Sequence, residues 1–187
     1  MAKTEAERDG RRTPWRNPIL RFEGSSRAPA EAVYDVLADI QSHLEWAGQR
    51  QAEKTRLLTL DAPAAPAGVG VEFFTTGSDG KVARWSDRSV VTEATRPEAF
   101  EFVTEGRREG KPGSRSWLST AVHRYSITPE DGGCRVTYTE DLTRLEGAPR
   151  ILLTRVVSSI MFRVSNKFMR RGFDALLALA EERSGLR

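Results

Sequence analysis

His123-Arg-Tyr-Ser-Ile-Thr-Pro-Glu-Asp-Gly-Gly-Cys-Arg-Val-Thr-Tyr138 consists of two alternating arms around a Pro-Glu-Asp-Gly-Gly turn. Period-two alternation sends successive side chains to opposite faces of a strand, and the residues between the arms favour a tight reversal. The stretch therefore reads as an antiparallel hairpin. A turn centred on residues 130–131 pairs Tyr125 with Val136 and His123 with Tyr138. On that register Trp117, Ser119, Ala121, His123, Tyr125 and Ile127 share a face with Val136, Tyr138, Glu140 and Leu142. The other face carries Arg124, Ser126, Arg135, Thr137 and Asp141, and reads as the solvent side.

Outward from the hairpin, the same period predicts strands over 18–23, 53–60, 69–76, 82–94, 98–104, 115–128 and 134–143. Turn formers separate most of them: 61–66, 77–80, Arg96-Pro97, 106–113 and 129–133. Parity puts Trp85, Asp87, Ser89 and Val91 on one face with Phe100 and Phe102, with Val69, Val71 and Phe73 completing the wall. After the first strand the period changes to 3.6. Pro29 suits the first turn of a short helix whose Val33, Val36 and Leu37 share a face, and a second short helical piece is expected over 40–46. The chain closes with a long amphipathic helix over 149–183. Leu153, Val157, Ile160, Met161, Val164, Phe168, Phe173, Leu176 and Ala180 form its apolar stripe, opposite Arg155, Arg163, Lys167, Arg170 and Arg171.

One strand, two short helices, six strands and a long helix make an α+β architecture. Strands at close spacing without intervening helices imply an antiparallel sheet, here of seven strands, curved around the C-terminal helix. A bent sheet and a straight helix do not touch everywhere, so a gap is expected between them. The 187 residues suffice for one domain, expected over 17–187 behind a charge-dense, disordered tail at 1–16.

Composition excludes several function classes. Lys and Arg total 29 against 26 for Asp and Glu, a net charge of +3, which is too slight for a protein built around nucleic-acid phosphates. Cys134 is the single cysteine, so no internal disulfide or cysteine-based metal cluster forms. Neither a signal-peptide core nor a run of about 18 apolar residues occurs, so a cytoplasmic protein without stable membrane insertion is expected.

The chain resembles the START-like helix-grip superfamily (SRPBCC), its polyketide cyclase/dehydrase and lipid-transport group, across about residues 17–183. The resemblance is carried by Ala28-Pro-Ala-Glu-Ala-Val-Tyr-Asp-Val-Leu-Ala-Asp39, by His43-Leu-Glu-Trp46, and by Trp85 with Val90-Val91-Thr92-Glu93 before Arg96-Pro97. The hairpin from His123 to Tyr138 and the helix ending from Phe173 to Glu182 complete it. Their order and spacing together are more specific than any one motif. The resemblance implies the helix-grip fold and a pocket. It leaves the ligand open, because the superfamily mixes enzymes with plain binders.

The expected pocket wall combines Trp85, Asp87, Phe100, Phe102, Trp117, Ser119, Tyr125 and Tyr138 from the sheet with Val157, Met161, Val164 and Phe168 from the helix. His123 is the candidate acid or base, with Glu140 diagonally across to hold its ring. A hydrogen-bonded core histidine is the commoner use of such a position. His43 and His123 lie on different elements without ligand-spaced carboxylates, so neither a metal nor another cofactor is implied. Cys134 reads as a buried structural thiol, and Gly68-Val-Gly70 and the glycines of 106–113 as turn residues. Arg150, Arg155, Arg163, Lys167, Arg170 and Arg171 suit transient contact with an anionic membrane, though a solvated helix face is the commoner explanation. Two functions follow: a carrier of a small hydrophobic molecule (a lipid, polyketide or similar metabolite), and a cyclase, aromatase or dehydrase acting in the same cavity. Oligomeric state stays open.

Overall fold

Each alternating stretch of the sequence forms a strand. The computed structural model describes residues 20–49, 55–79, 83–109, 116–148 and 155–187, without the side chains of 48, 49, 55, 56, 79, 83, 155–165 and 168. The tail expected at 1–16 and the side chains of Val157, Met161, Val164 and Phe168 lie outside the described residues. In chain order the elements are β1 (Leu20–Ser26), α1 (Ala30–Ala38), a 3-10 turn (Ile40–Ser42), a π-helical segment (Leu44–Gln49) and β2 (Thr55–Asp61). They continue with β3 (Glu72–Asp79), β4 (Ala83–Thr95), β5 (Ala99–Glu109), β6 (Trp117–Glu130), β7 (Gly133–Glu146) and α2 (Arg155–Arg183). The strands form one curved antiparallel sheet in the order β1-β7-β6-β5-β4-β3-β2. This is an α+β, helix-grip-like fold.

Three local expectations change. The loop between β6 and β7 is Asp131-Gly132, because Glu130 still pairs with Gly133, so Tyr125 faces Tyr138 and His123 faces Glu140. The pairing moves by two residues, which preserves every side chain's face. Beyond Ala121 a bulge leaves Thr143 unpaired and brings Leu145 opposite Ser119. Second, β5 runs past Thr104 to Glu109, paired along the whole arm of β4 from Arg84. Gly106 is therefore a strand residue. A Cβ there would lie 2.6 Å from Asp87 Oδ1 and 3.1 Å from Ser119 Oγ, so its glycine makes room for two neighbouring side chains. Third, β3 begins at Glu72, and Val69 stands in the preceding loop, 68% exposed, outside the wall assigned to it.

The core lies between the inner face of the sheet and the helices. Val33, Val36 and Leu37 of α1 are buried, as are Phe173, Leu176, Leu177, Leu179 and Ala180 of α2. Lys167, Arg170 and Arg171 are exposed. The approach of α2 to β1 requires Gly24, where a Cβ would lie 2.9 Å from both Leu177 Cδ1 and Phe173 Cε1. The buried Glu181 carboxylate fastens the same end of α2. It accepts the Arg27 backbone N–H at 3.0 Å and Arg187 Nε–H at 2.8 Å, and these bonds hold its carboxyl below the usual range. Leu176→Ala is expected to cost about 2–5 kcal/mol in denaturant unfolding, and Lys167→Ala less than about 0.5 kcal/mol. A Leu176→Ala loss no larger than the Lys167→Ala loss would contradict this packing.

Candidate functional site

The ladder pairs arrange the inner face in transverse rows. Nearest β1 and the end of α2, Phe100, Tyr125, Tyr138 and Phe22 follow one another across β5, β6, β7 and β1. Tyr138 stacks on Phe22 at 5.7 Å, and Phe22 meets Phe173 at 6.1 Å. The next row is Val91, Phe102, His123 and Glu140. Then come Ser89, Thr104, Ala121 and Leu142, next Asp87, Gly106, Ser119 and Leu145, and last Trp85, Arg108 and Trp117. The first row is buried, while Trp85, Asp87, Arg108, Trp117, Ser119, His123 and Glu140 are partly buried. The face thus grades from aromatic core to a mixed aromatic and polar surface.

His123 and Glu140 meet through Tyr138, a more specific arrangement than a diagonal contact. Tyr138 Oη–H donates to Glu140 Oε2 at 3.1 Å and lies 2.8 Å from His123 Nδ1. An ionised carboxylate only accepts, so the hydroxyl spends its one proton on Glu140. His123 Nδ1 must then be the N–H donor to Tyr138 Oη, which leaves Nε2 without a proton. The ring stacks on Phe102 at 4.8 Å and 19°. Burial holds its pKa below the ordinary value, against the Glu140 and Asp87 carboxylates, and the Arg108 guanidinium adds to the lowering. The site therefore presents a neutral imidazole whose lone pair is on Nε2, an atom with no hydrogen bond among the described residues.

Arg108 completes a second group. Its Nη1–H donates to Asp87 Oδ1 at 2.6 Å, and its guanidinium lies 5.3 Å from the Trp85 ring centre. The Asp87 side chain is 11% exposed. Sequence parity brought Asp87, Ser119, Trp85 and Trp117 together and missed Arg108, because the strand was ended at Thr104. Carrying the alternation from Phe100 and Phe102 through 104 and 106 would have reached it.

His43 is the other missed residue. Its ring packs on Trp46 at 4.4 Å, with Phe73 at 5.7 Å and Phe102 at 6.2 Å. Burial lowers its pKa to about 4 even though Nδ1–H donates to the Ile40 carbonyl at 3.0 Å. Nothing in the sequence near His43 marks it as interior except Trp46 three residues on.

Elsewhere, the Cys134 thiol is buried, which pushes its pKa up to about 11, as suits a structural residue. Arg170 binds Asp174 at 2.8 Å and the Glu23 carbonyl at 3.2 Å, so it ties α2 to β1. Among the described residues no cluster of three or more His, Cys, Asp or Glu side chains is placed to hold a metal, and no helix is long and apolar enough to cross a membrane. A small cavity of about 40 Å³ lies on the inner side, lined by Trp46, Ala47, Tyr125, Tyr138, Met169, Gly172 and Phe173. A larger trough of about 520 Å³ crosses the outer face between Phe74 and Leu118. It is open to solvent, and its Arg88 and Arg144 are paired with Glu72 and Glu146, so the inner face is the better candidate site.

A curved antiparallel sheet gripping a C-terminal helix, with a graded inner face, defines the helix-grip class. Residues 20–181 match the family described as polyketide cyclase/dehydrase and lipid transport, and the chain belongs to that family. A protein from Rhizobium leguminosarum is similar in structure at a TM-score of 0.63 and 14% identity, covering 87% of this chain and 93% of that one. A conserved protein from Geobacillus kaustophilus gives 0.61 at 13% identity, covering 87% and 94%. The di-domain ARO/CYC StfQ from the steffimycin biosynthetic pathway gives 0.61 at 17% identity, covering 89% of this chain and 52% of that one. At these identities the likeness is one of fold. A search of the curated proteins found no match.

Two titrations test the electrostatics. Glu140→Gln removes a charge that favours imidazolium and is expected to lower the His123 pKa further. Arg108→Gln removes an opposing charge and is expected to raise it. Nuclear magnetic resonance titration of the ring protons reads both signs, and shifts in the same direction would contradict the geometry. For His43 the folded pKa lies below the unfolded one, so the unfolded chain binds more protons between them. Stability is then expected to fall as pH drops from about 6.5 towards about 4, by up to about 3 kcal/mol from this residue. Unfolding curves across that window should flatten in His43→Phe.

Proposed function

We propose that the protein binds a small hydrophobic molecule between the inner face of its sheet and α2. The observation that carries this is the gradation of the inner face. Its aromatic rows are sealed at the end of α2, whereas Trp85, Asp87, Arg108, Trp117 and Ser119 continue the same face only partly buried. Partly buried polar groups among aromatic rings suit the orientation of a ligand, and the Asp87–Arg108 pair keeps two of them satisfied until one binds. Membership of a family whose description joins polyketide cyclases with lipid transport supports the same use. Tyr125 and Tyr138 line the small inner cavity, Phe100 and Phe102 are assigned to the floor beside them, and Val157, Met161, Val164 and Phe168 to its helix side.

A second reading is acid/base catalysis in that cavity, favoured by the Glu140–Tyr138–His123 array. The carboxylate fixes the hydroxyl, the hydroxyl fixes Nδ1–H, and the bare Nε2 becomes a base able to take a proton from a bound carbonyl compound during enolisation or dehydration. The presence of an ARO/CYC protein among structures of this fold is consistent with such chemistry.

Native mass spectrometry of the protein purified from its own source tests the first reading. A co-purified small apolar molecule is expected, released on unfolding; protein that is ligand-free and takes up no apolar probe would overturn it. His123→Gln separates the two readings once the molecule is identified. Catalysis predicts turnover lower by about 10²–10⁴-fold with affinity changed far less. A carrier shows a modest change in affinity and has no turnover to lose.

A further inference from the structure

The interior holds a polar atom that the fold leaves unused. His43 joins the 3-10 turn to the π-helical segment and is 6% exposed. Three side-chain donors of this segment are engaged elsewhere. Ser42 Oγ–H donates to the Val36 carbonyl at 2.8 Å, Trp46 Nε1–H donates to Ser42 Oγ at 3.2 Å, and His43 Nδ1–H donates to the Ile40 carbonyl at 3.0 Å. With its proton on Nδ1, the ring carries a lone pair on Nε2. That atom is fully buried and has no hydrogen-bond partner among the described residues. A buried acceptor left in this state opposes folding, and native structures keep few of them without a bound water or ligand to account for them.

Its surroundings tie it to the inner face of the sheet. Trp46, on which His43 packs, also lines the inner cavity beside Tyr125 and Tyr138. Phe102, which meets His43 edge-on, is the ring on which His123 stacks. The two imidazoles therefore flank one phenyl ring, each with Nδ1–H tied to a fixed acceptor. A π-helical segment at this point is also a departure from ordinary helix geometry of the kind that recurs at functional sites.

We infer that His43 Nε2 anchors a hydrogen-bond donor on the bound ligand, a hydroxyl or N–H borne by a flat unsaturated ring. This rests on the ligand-binding function proposed above and adds a requirement to it. The open nitrogen has nothing to donate, so a carbonyl, ether or carboxylate oxygen gains nothing there. The Trp46, Phe73 and Phe102 rings favour a planar apolar body next to the donor.

The test uses the whole protein with 2-naphthol and 2-methoxynaphthalene, which share a ring system and differ in the donor. The preference for 2-naphthol over its methyl ether is expected to be about tenfold greater in the wild type than in His43→Phe, which keeps a flat ring and removes the acceptor. In nitrogen-15 spectra of the wild type, 2-naphthol should move the His43 Nε2 resonance towards its hydrogen-bonded position, and the ether should leave it in place. Binding of both probes with the same preference in wild type and variant overturns the anchor while leaving the cavity intact. Binding of neither overturns the cavity and the anchor together. Where His43→Phe fails to fold, the wild-type spectra decide: a His43 resonance indifferent to bound 2-naphthol overturns the inference.

Discussion

The seating of Phe173 and Leu177 against the bare backbone of Gly24 is the contact from which the rest of the architecture follows. A side chain on residue 24 would meet Leu177 Cδ1 and Phe173 Cε1 at 2.9 Å, so these side chains would have to shift from their seats beside the aromatic row. With the helix seated there, Glu181 receives the Arg27 N–H and closes the connection between β1 and α1. One end of the inner face is thereby packed as core. The curvature of the sheet carries the other end away from this contact, and there the inner face changes character from Phe and Tyr to Trp, Arg, Asp and Ser.

That change of character sets the electrostatics of the candidate site. His123 lies where the two regimes meet, with Phe102 against its face and Glu140 reached through one hydroxyl. Burial wins over the carboxylates, so the imidazole stays neutral, yet the carboxylate still decides which nitrogen holds the proton. A direct Glu–His contact would instead favour the charged ring. The intervening Tyr138 thus orients the histidine, and the Glu140 charge opposes the lowering of its pKa without overcoming burial. Its own hydroxyl is held well above the ordinary tyrosine range by burial and by Glu140, so it stays protonated and keeps the tautomer fixed.

Much of the inner face was legible before any pairing was known, because between bulges a side chain's face depends only on the parity of its position within a strand. Trp117, Ser119, His123 and Tyr125 fall together with Tyr138 and Glu140 whether the hairpin turns at 130–131 or at 131–132. Which residue sits opposite which depends on the turn itself, and Glu130 pairing with Gly133 moved every partner by two as far as the bulge at Ala121. Arg108 was lost for a related reason. Gly106 looks like a turn in one dimension, and only the crowding of Asp87 and Ser119 over it reveals a strand glycine.

The sequence by itself determined the element order, the amphipathic C-terminal helix, the face taken by each strand residue and the likeness to the helix-grip superfamily. The first three arise from periodicities and turn chemistry that act within a few residues of one another, and the likeness rests on the motifs that carry it. Only the tertiary structure decided that Tyr138 stands between His123 and Glu140, that Arg108 joins Asp87 beside Trp85, and that His43 lies buried with its Nε2 unpaired among the described residues. Those outcomes depend on distances between strands and helices far apart in the chain. Desolvation, which sets the state of both histidines, is a property of the assembled interior that no local stretch of sequence carries.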